Sequence, residues 1–208
     1  RPLRQSLAVP SMIYSEMDAR GVDALVLGCH GIAGPRVGTL GTVTAAAVNN
    51  VPKTVVVANP YATVTTDASS RSSLFLAVLT VSTDPDVNVV KHPKCLSSTL
   101  RLMSHWHEVH VLILLDGTTS AACAHSEAGT TDELDRVQKQ VSYILSTAQA
   151  NHTITVQPTV AGKTSEQLII HECEESKVDF VVLDRSEDLH LDCLKNGRAT
   201  TILIGDEA

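Results

Sequence analysis

Residues 22–44 read VDALVLGCHGIAGPRVGTLGTVT and are the most informative stretch of the chain. Residues 24–27 are a short apolar run of the kind that forms a buried strand. A glycine-rich segment follows from Gly28, and residues 42–48 are rich in Ala and Val, which predicts a helix. The order strand, glycine loop, helix is typical of an α/β fold with a parallel sheet.

The glycines of this stretch follow the spacing Gly-x-x-Gly-(nine)-Gly-Thr, formed by Gly28, Gly31, Gly41 and Thr42. Glycine lets the backbone turn sharply and approach a ligand closely. The helix start that follows offers free N–H groups and a partial positive charge. The pattern therefore predicts a phosphate-binding loop that works through backbone N–H groups and needs no lysine.

The composition of the 208-residue chain agrees with this fold class. Apolar residues make up 43% and aromatic residues only 3%, so the core must consist of Val, Leu, Ile and Ala. Such a core suits a parallel sheet with helices on both faces. The net charge of −7 argues against nucleic-acid binding, which needs a basic face.

The cysteines and the apolar runs indicate the expected cellular location of the protein. Five cysteines without CxxC spacing favour reduced thiols and a cytoplasmic location. No apolar run approaches the ~20 residues of a membrane span, so we expect no membrane partner. The chain begins at Arg1 without Met or a signal-peptide pattern, and we expect its start to be missing or processed.

Predicted helices and strands alternate along the whole chain. We predict helices over residues 6–19, 42–48, 96–106, 131–150 and 165–175, and strands over residues 24–27, 54–57, 74–81, 110–115, 153–160, 178–183 and 200–204. Pro10 could delay the first helix to Ser11. Thr131 is the expected N-cap of the fourth helix, after a polar loop over residues 118–130.

A weak internal repeat divides the chain. The sequence GVDALVL at residues 21–27 resembles KVDFVVL at residues 177–183, and each follows a predicted helix. We therefore expect two related modules, the first lacking its front half. Residues 1–60 form a partial module that carries the glycine loop, residues 61–73 form a linker, and residues 74–208 form a second, degenerate module.

The glycine loop and its lead-in of Val-Asp, strand and Gly-x-His-Gly resemble the universal stress protein family. The resemblance implies adenine-nucleotide α-hydrolase-like modules, with sheet order 3-2-1-4-5 and the loop after the fourth strand. It also implies ATP or AMP as ligand, with Mg²⁺ if ATP. Four residues would hold the ribose and phosphates and four would flank them: Gly28, Gly31, Gly41 and Thr42, and then Leu27, His30, Val43 and Thr44.

The second module departs from the family pattern. Family members that bind ATP end their first strand in an Asp that meets adenine, and only Asp84 could serve here, if its strand is long enough. The loop after the fourth strand is replaced by residues 184–188, DRSED, whose carboxylates would repel phosphate. We predict that this module does not bind ATP in the family's way.

Three functions remain open. The first is nucleotide binding in stress response or signalling, the second is an interaction or scaffold role with a vestigial site, and the third is slow nucleotide hydrolysis. Neither a base nor a metal carboxylate is evident near Gly41, so we assign no catalytic or metal residue and favour binding over catalysis. In this family fifth strands often meet between subunits, so residues 54–57 and 200–204 could support self-association or an intramolecular pseudo-dimer.

Other candidate motifs are better explained by structure. His105, His107 and His110 span a helix-to-strand junction, and we expect solvated side chains in place of a zinc site. Cys29 could be redox-active near a helix start, but a space-filling role is favoured. We read Glu172, Glu174 and Glu175 as a solvated helix face. Residues 162–164, GKT, are interpreted as a strand-to-helix turn with Thr164 or Ser165 as the N-cap, and not as a P-loop.

Overall fold

The computed structural model describes residues 3–30, 39–59, 72–82, 90–91, 93–103, 107–116, 127–158, 163–185 and 190–205. The helices in these ranges are α1 (Leu3–Ala19), α2 (Thr42–Asn50), α3 (Pro93–Leu102), α4 (Glu127–Thr147), α5 (Ser165–Glu175) and α6 (His190–Asn196). The strands are β1 (Ala24–Gly28), β2 (Thr54–Ala58), β3 (Leu74–Ser82), β4 (Val90–Lys91), β5 (Glu108–Asp116), β6 (Asn151–Pro158), β7 (Phe180–Asp184) and β8 (Thr200–Ile204).

All the strands belong to one sheet, in the order β1-β2-β8-β7-β3-β5-β6, with β4 paired to β3. The pairs β1–β2, β8–β7, β7–β3, β3–β5 and β5–β6 are parallel. The pairs β2–β8 and β3–β4 are antiparallel. The predicted α/β class is confirmed, with a mixed, mostly parallel sheet.

Helices cover both faces of this sheet because strand side chains point alternately to opposite sides. On β3, Leu76 and Val78 belong to one core cluster with the buried residues of α2, α5 and α6. Phe75, Ala77 and Leu79 belong to the other cluster, with residues of α3 and α4. Near-continuous apolar strands such as β3 are the expected consequence of a sheet buried on both faces.

The two halves of the sheet meet where β2 pairs with β8. The register places Val56 opposite Ile202, with Val55 opposite Leu203 and Val57 opposite Thr201. The pairing suggested by the sequence for residues 54–57 and 200–204 is therefore present within the chain. Both strands have hydrogen-bonded neighbours on either side.

Several predicted boundaries were wrong. Helix α1 runs from Leu3 through Pro10; the fixed φ of proline is compatible with a helix, although proline removes one hydrogen bond and crowds the preceding turn. Helix α3 begins at Pro93 and ends at Leu102, because a proline fits the first turn, where its missing N–H costs nothing. Helix α4 already includes Thr131, so that residue is not an N-cap. Strand β4 and helix α6 were not predicted, and the predicted linker lies mostly outside the described residues.

Within the described residues, no helix is both long enough and apolar enough to cross a lipid bilayer.

Candidate functional site

The glycine loop leaves the carboxyl end of β1 and returns to the same place. The N–H of Cys29 donates to the carbonyl of Ala58 over 3.1 Å, which extends the pairing with β2 by one residue. The N–H of Gly41 donates to the carbonyl of Cys29 over 2.8 Å and closes the loop. The start of α2 is thereby held directly beside the end of β1.

Helix α2 starts without a side-chain cap. Its N-cap residue is Gly41, with φ −59° and ψ 142°, which has no side chain to bond to the first turn. The first N–H groups of a helix have no partner inside the helix. Thr42 and Val43 are exposed beside them, so the first turn presents backbone donors at an accessible surface.

The side chain of Thr44 connects the start of α2 to the end of β1. Its side chain is buried, and its hydroxyl donates to the carbonyl of Gly28 over 2.7 Å. That bond ties the first turn of α2 to the last residue of β1. The hydroxyl hydrogen of Thr44 is therefore used within the protein, whereas Thr42 keeps an exposed side chain.

The remaining predicted site residues lie around this point. Leu27 and His30 are half-buried, and Gly28 is exposed at the end of β1. Gly31 lies outside the described residues. The structure thus brings Leu27, Gly28 and His30 together with the residues at the start of α2, although they are separated by ten or more positions in sequence.

One side of the site is open in the described part of the chain. Strand β1 is the outermost strand on its side of the sheet, and Val26 at its centre is 66% exposed. An apolar groove of about 510 Å³ lies along α1, lined by residues that include Met12, Ile13 and Val22.

Cys29 fills space at the start of the loop. Its side chain is 2% exposed, and burial raises the pKa of the thiol above its usual value. A raised pKa disfavours the reactive thiolate, in agreement with the favoured space-filling role. Burial likewise raises the pKa of Cys95 and of Cys173 to about 12.

The residue after β7 that aligns with Cys29, when residues 177–183 are matched to residues 21–27, makes a different contact. Strand β7 ends at Asp184, and the next residue, Arg185, donates from Nη2 to the carbonyl of Lys53 over 2.9 Å. The residue that takes the place of Cys29 therefore links the turn after β7 to the start of β2. Asp84 and residues 186–188 lie outside the described residues.

A buried polar cluster was missed by sequence reasoning. Glu172, which we expected in solvent, is 9% exposed and accepts hydrogen bonds from Gln157 at 2.9 Å and Ser176 at 2.7 Å. His110 lies 3.4 Å from Glu172 through Nδ1 and 2.7 Å from the hydroxyl of Thr155 through Nε2. The helical spacing of Glu172 from two inward residues, Leu168 and Ile169, was the signal that could have placed it on the buried face.

The cluster also corrects the interpretation of the histidines. His110 is 6% exposed and not solvated, and burial lowers its pKa, while the Glu172 carboxylate acts in the opposite direction. Among the described residues, no three potential metal ligands converge, and His105 lies outside them. The cap interpretation of residues 162–164 is confirmed at Thr164, which forms a capping box with Gln167.

Comparison with known proteins finds similarity at the level of the fold. No protein-family model matches the chain, and no curated protein matches it. A solved structure from Pseudomonas aeruginosa UCBPP-PA14, described as a "Putative Universal Stress Protein", is 13% identical with a TM-score of 0.61, over 94% of this chain and 68% of that one. A functionally unknown protein from Pseudomonas aeruginosa PAO1 is 10% identical with a TM-score of 0.58, over 95% of this chain and 68% of that one. The chain therefore has a universal-stress-protein-like α/β fold.

Proposed function

We propose that the loop after β1 binds an adenine nucleotide, ATP or AMP, and that the chain is a non-catalytic nucleotide-responsive protein in stress response or signalling. The observation that supports the proposal is the uncapped first turn of α2, held at the carboxyl end of β1 by the bond from Gly41 to Cys29. Ligands of α/β folds bind at the carboxyl ends of the strands. An anion there would receive the N–H groups that Gly41, which lacks a side chain, does not cap.

The residues of the proposed site have different roles in binding. Gly28, Gly31, Gly41 and Thr42 would hold the ribose and phosphates through backbone N–H groups and one hydroxyl. Leu27, His30 and Val43 would flank the ligand, and Thr44 would keep the helix start in place through its bond to Gly28. Mg²⁺, if ATP binds, would be held by phosphate oxygens and water, since no carboxylate is evident in sequence near Gly41.

The tandem organisation belongs to the same proposal. We assign residues 1–60 to a partial first module, residues 61–73 to a linker and residues 74–208 to a second module that does not bind ATP. Numbered along the sequence, the five strands of this module are β3, β5, β6, β7 and β8. Across the sheet, starting from the β6 edge, they lie in the order 3-2-1-4-5, which supports a full second module. The β2–β8 pairing would then join two fifth strands as an intramolecular pseudo-dimer.

Thermal unfolding with and without Mg·ATP tests the proposal, with Gly41→Asp as the variant. The φ and ψ of Gly41 suit an N-cap residue, so Asp is expected to cap α2 and raise the melting temperature without ligand. The same carboxylate would repel phosphate. We therefore expect ATP to stabilise the wild type, by about 2.7 kcal/mol at a hundredfold excess over Kd, and to leave the variant unchanged.

A matched control separates charge from position. Gln140→Glu adds the same charge on an exposed position of α4 and is expected to keep the full response to Mg·ATP. An equal response in wild type and in Gly41→Asp would overturn the proposed site. Phosphate release above background would replace non-catalytic binding with slow hydrolysis.

The open side of β1 favours one alternative function. Because no described strand covers that side of the site, the adenine half of the pocket is incomplete in the described residues. An interaction or scaffold protein with a vestigial site would have this feature. That alternative predicts no thermal shift with either nucleotide in wild type, while Gly41→Asp still raises the melting temperature.

A further inference from the structure

A second cleft lies at the opposite end of β1 from the glycine loop. It has a volume of about 540 Å³ and is formed where β1 and β2 begin, β8 ends and the last turns of α3 pass over them. Strand β1 has five residues, so about 16 Å separates the two ends. We propose that this cleft binds a small monocarboxylic acid with an apolar body, at a site separate from the nucleotide loop.

Two cationic side chains line the cleft. The ammonium of Lys53 is positioned by a 2.9 Å hydrogen bond to the carbonyl of Val22, and its side chain is only 12% exposed. A lysine has three N–H donors, so this bond leaves donors for a ligand. Arg101 is exposed in the last turn of α3, and its guanidinium makes no hydrogen bond or ion pair with the rest of the described chain.

The charge balance favours a monoanion. Lys53 and Arg101 contribute two positive charges, and Asp23 in the same lining contributes one negative charge, which leaves one positive charge. Asp18, outside the lining, lies 4.0 Å from the Lys53 ammonium with its side chain 72% exposed, so it offsets part of this positive charge, weakened by solvent screening. This local excess contrasts with a chain whose net charge is −7.

The lining favours a monocarboxylate over the more highly charged phosphate. A guanidinium binds either group through two parallel hydrogen bonds, so the charge balance and the apolar surface decide between them. The hydroxyls of Thr54 and Ser98 add polar positions, while Ile204 and Leu102 provide apolar surface. Small-molecule sites combine apolar walls with a few polar groups in volumes of this order.

The lining comes from both halves of the sheet, which gives the ligand a structural consequence. Lys53 directly precedes β2 and Thr54 begins it. Ile204 ends β8, and Arg101 lies on α3. A ligand in the cleft would contact both strands of the antiparallel junction. Binding is therefore expected to stabilise the junction, by mass action.

Titration of the isotope-labelled protein with benzoate, followed by amide NMR shifts, tests the proposal. Benzamide has the same apolar ring without the charge and is the matched ligand control. We expect saturable shifts at Thr54, Ser98 and Leu102 with benzoate, and affinity for benzamide weaker by about tenfold, as for loss of one charge-assisted pair. Equal affinity for the two compounds, or benzoate shifts that do not map to the cleft, would overturn the proposal.

Two variants separate the cleft from general charge effects. Arg101→Gln is expected to weaken benzoate about tenfold, while Arg136→Gln, an equal loss of charge at an exposed position of α4, is expected to leave it unchanged. Equal weakening by both contradicts a specific site. Stronger shifts at the cleft with inorganic phosphate than with benzoate contradict the carboxylate class. Benzoate binding is expected to survive Gly41→Asp, so the result is independent of the nucleotide proposal.

Discussion

Burial of a single histidine couples the stability of this chain to pH. His110 is on β5, and its side chain meets Glu172 of α5 and Thr155 of β6. Burial lowers its pKa in the folded state, with Glu172 opposing that effect in part. An unfolded histidine has a pKa near 6.5, so the unfolded chain takes up this proton more readily. Stability is expected to fall as the pH decreases through that value.

The variant His110→Gln tests this linkage. Glutamine keeps neutral hydrogen-bonding groups but does not titrate, so the free energy of unfolding should fall less between about pH 7 and pH 5 than in wild type. Urea unfolding across that range measures the slope. His171→Gln, at an exposed position of α5, is the control and should retain more of the wild-type slope than His110→Gln. Identical slopes in the two variants would contradict the role of His110.

A glycine after β8 is required by close backbone packing. A Cβ atom built on the buried Gly205 would contact the carbonyl oxygen of Pro52 and lie 2.5 Å from the carbonyl carbon of Lys53. Gly205→Ala is therefore expected to destabilise the chain by about 1–3 kcal/mol, the usual range for overpacking. Gly28→Ala is the comparison, since a Cβ atom there meets its nearest neighbour at an ordinary 3.7 Å. Equal losses in urea unfolding would contradict the packing argument.

At the scale of elements, helices α1 and α5 end in the same way, as does α4 at Gln149. Helix α1 is followed by Gly21 at φ +63°, and α5 is followed by Lys177 at φ +52°. In both, the N–H of the following residue donates to a carbonyl in the last turn of the helix, from Val22 to Met17 and from Val178 to Cys173. This is the Schellman ending, which usually has glycine in the left-handed position. Helix α5 is therefore followed by a side chain in a strained position.

Replacement of that residue should stabilise the protein. Lys177→Gly removes the left-handed strain of a side chain, which costs about 1–2 kcal/mol, but makes the unfolded chain more flexible. We expect a net gain of about 0.5–1 kcal/mol in unfolding free energy. Lys177→Ala removes the charge while keeping a Cβ atom, and it should give little or no gain. A stabilisation of the same size in both variants would assign the effect to charge.

At the scale of the whole molecule, one antiparallel pair joins two parallel halves into a continuous sheet. Strand β2 lies between β1 and β8, so the N–H of Val56 faces one of its two neighbours. A proline there removes that donor and disrupts a central strand. The contacts from Arg185 to Lys53 and of Gly205 with Pro52 cross the same junction.

Disruption of the junction should separate the stabilities of the two halves. Val56→Pro is expected to cost at least about 1–3 kcal/mol, the usual cost of leaving a buried hydrogen-bonding group unpaired, and to abolish the amide hydrogen-exchange protection of α2 and β2. Strands β3 and β5 should keep their protection, because they lie in the other half of the sheet. Val56→Ala keeps the N–H and should cost less. Uniform loss of protection throughout the chain would contradict two separable halves.

The parts of the structure that the sequence predicted depend on neighbouring residues. Helix α5 and strand β8 were predicted with their observed bounds, and Thr164 was anticipated as a cap. Capping and apolar periodicity are local, because a side chain meets positions three or four residues away. The glycine spacing at Gly28 and Gly41 likewise marked a loop between a strand and a helix.

Only the tertiary structure established features that depend on residues distant in sequence. The burial of Glu172 requires Gln157 and His110 from other elements, and composition alone placed it in solvent. The hydrogen bond from Thr44 to Gly28 and the cleft around Arg101 form only because the fold brings distant helices and strands together. The physical reason is that burial and hydrogen-bond partners are properties of packed neighbours, whereas a linear pattern specifies only which face a residue occupies.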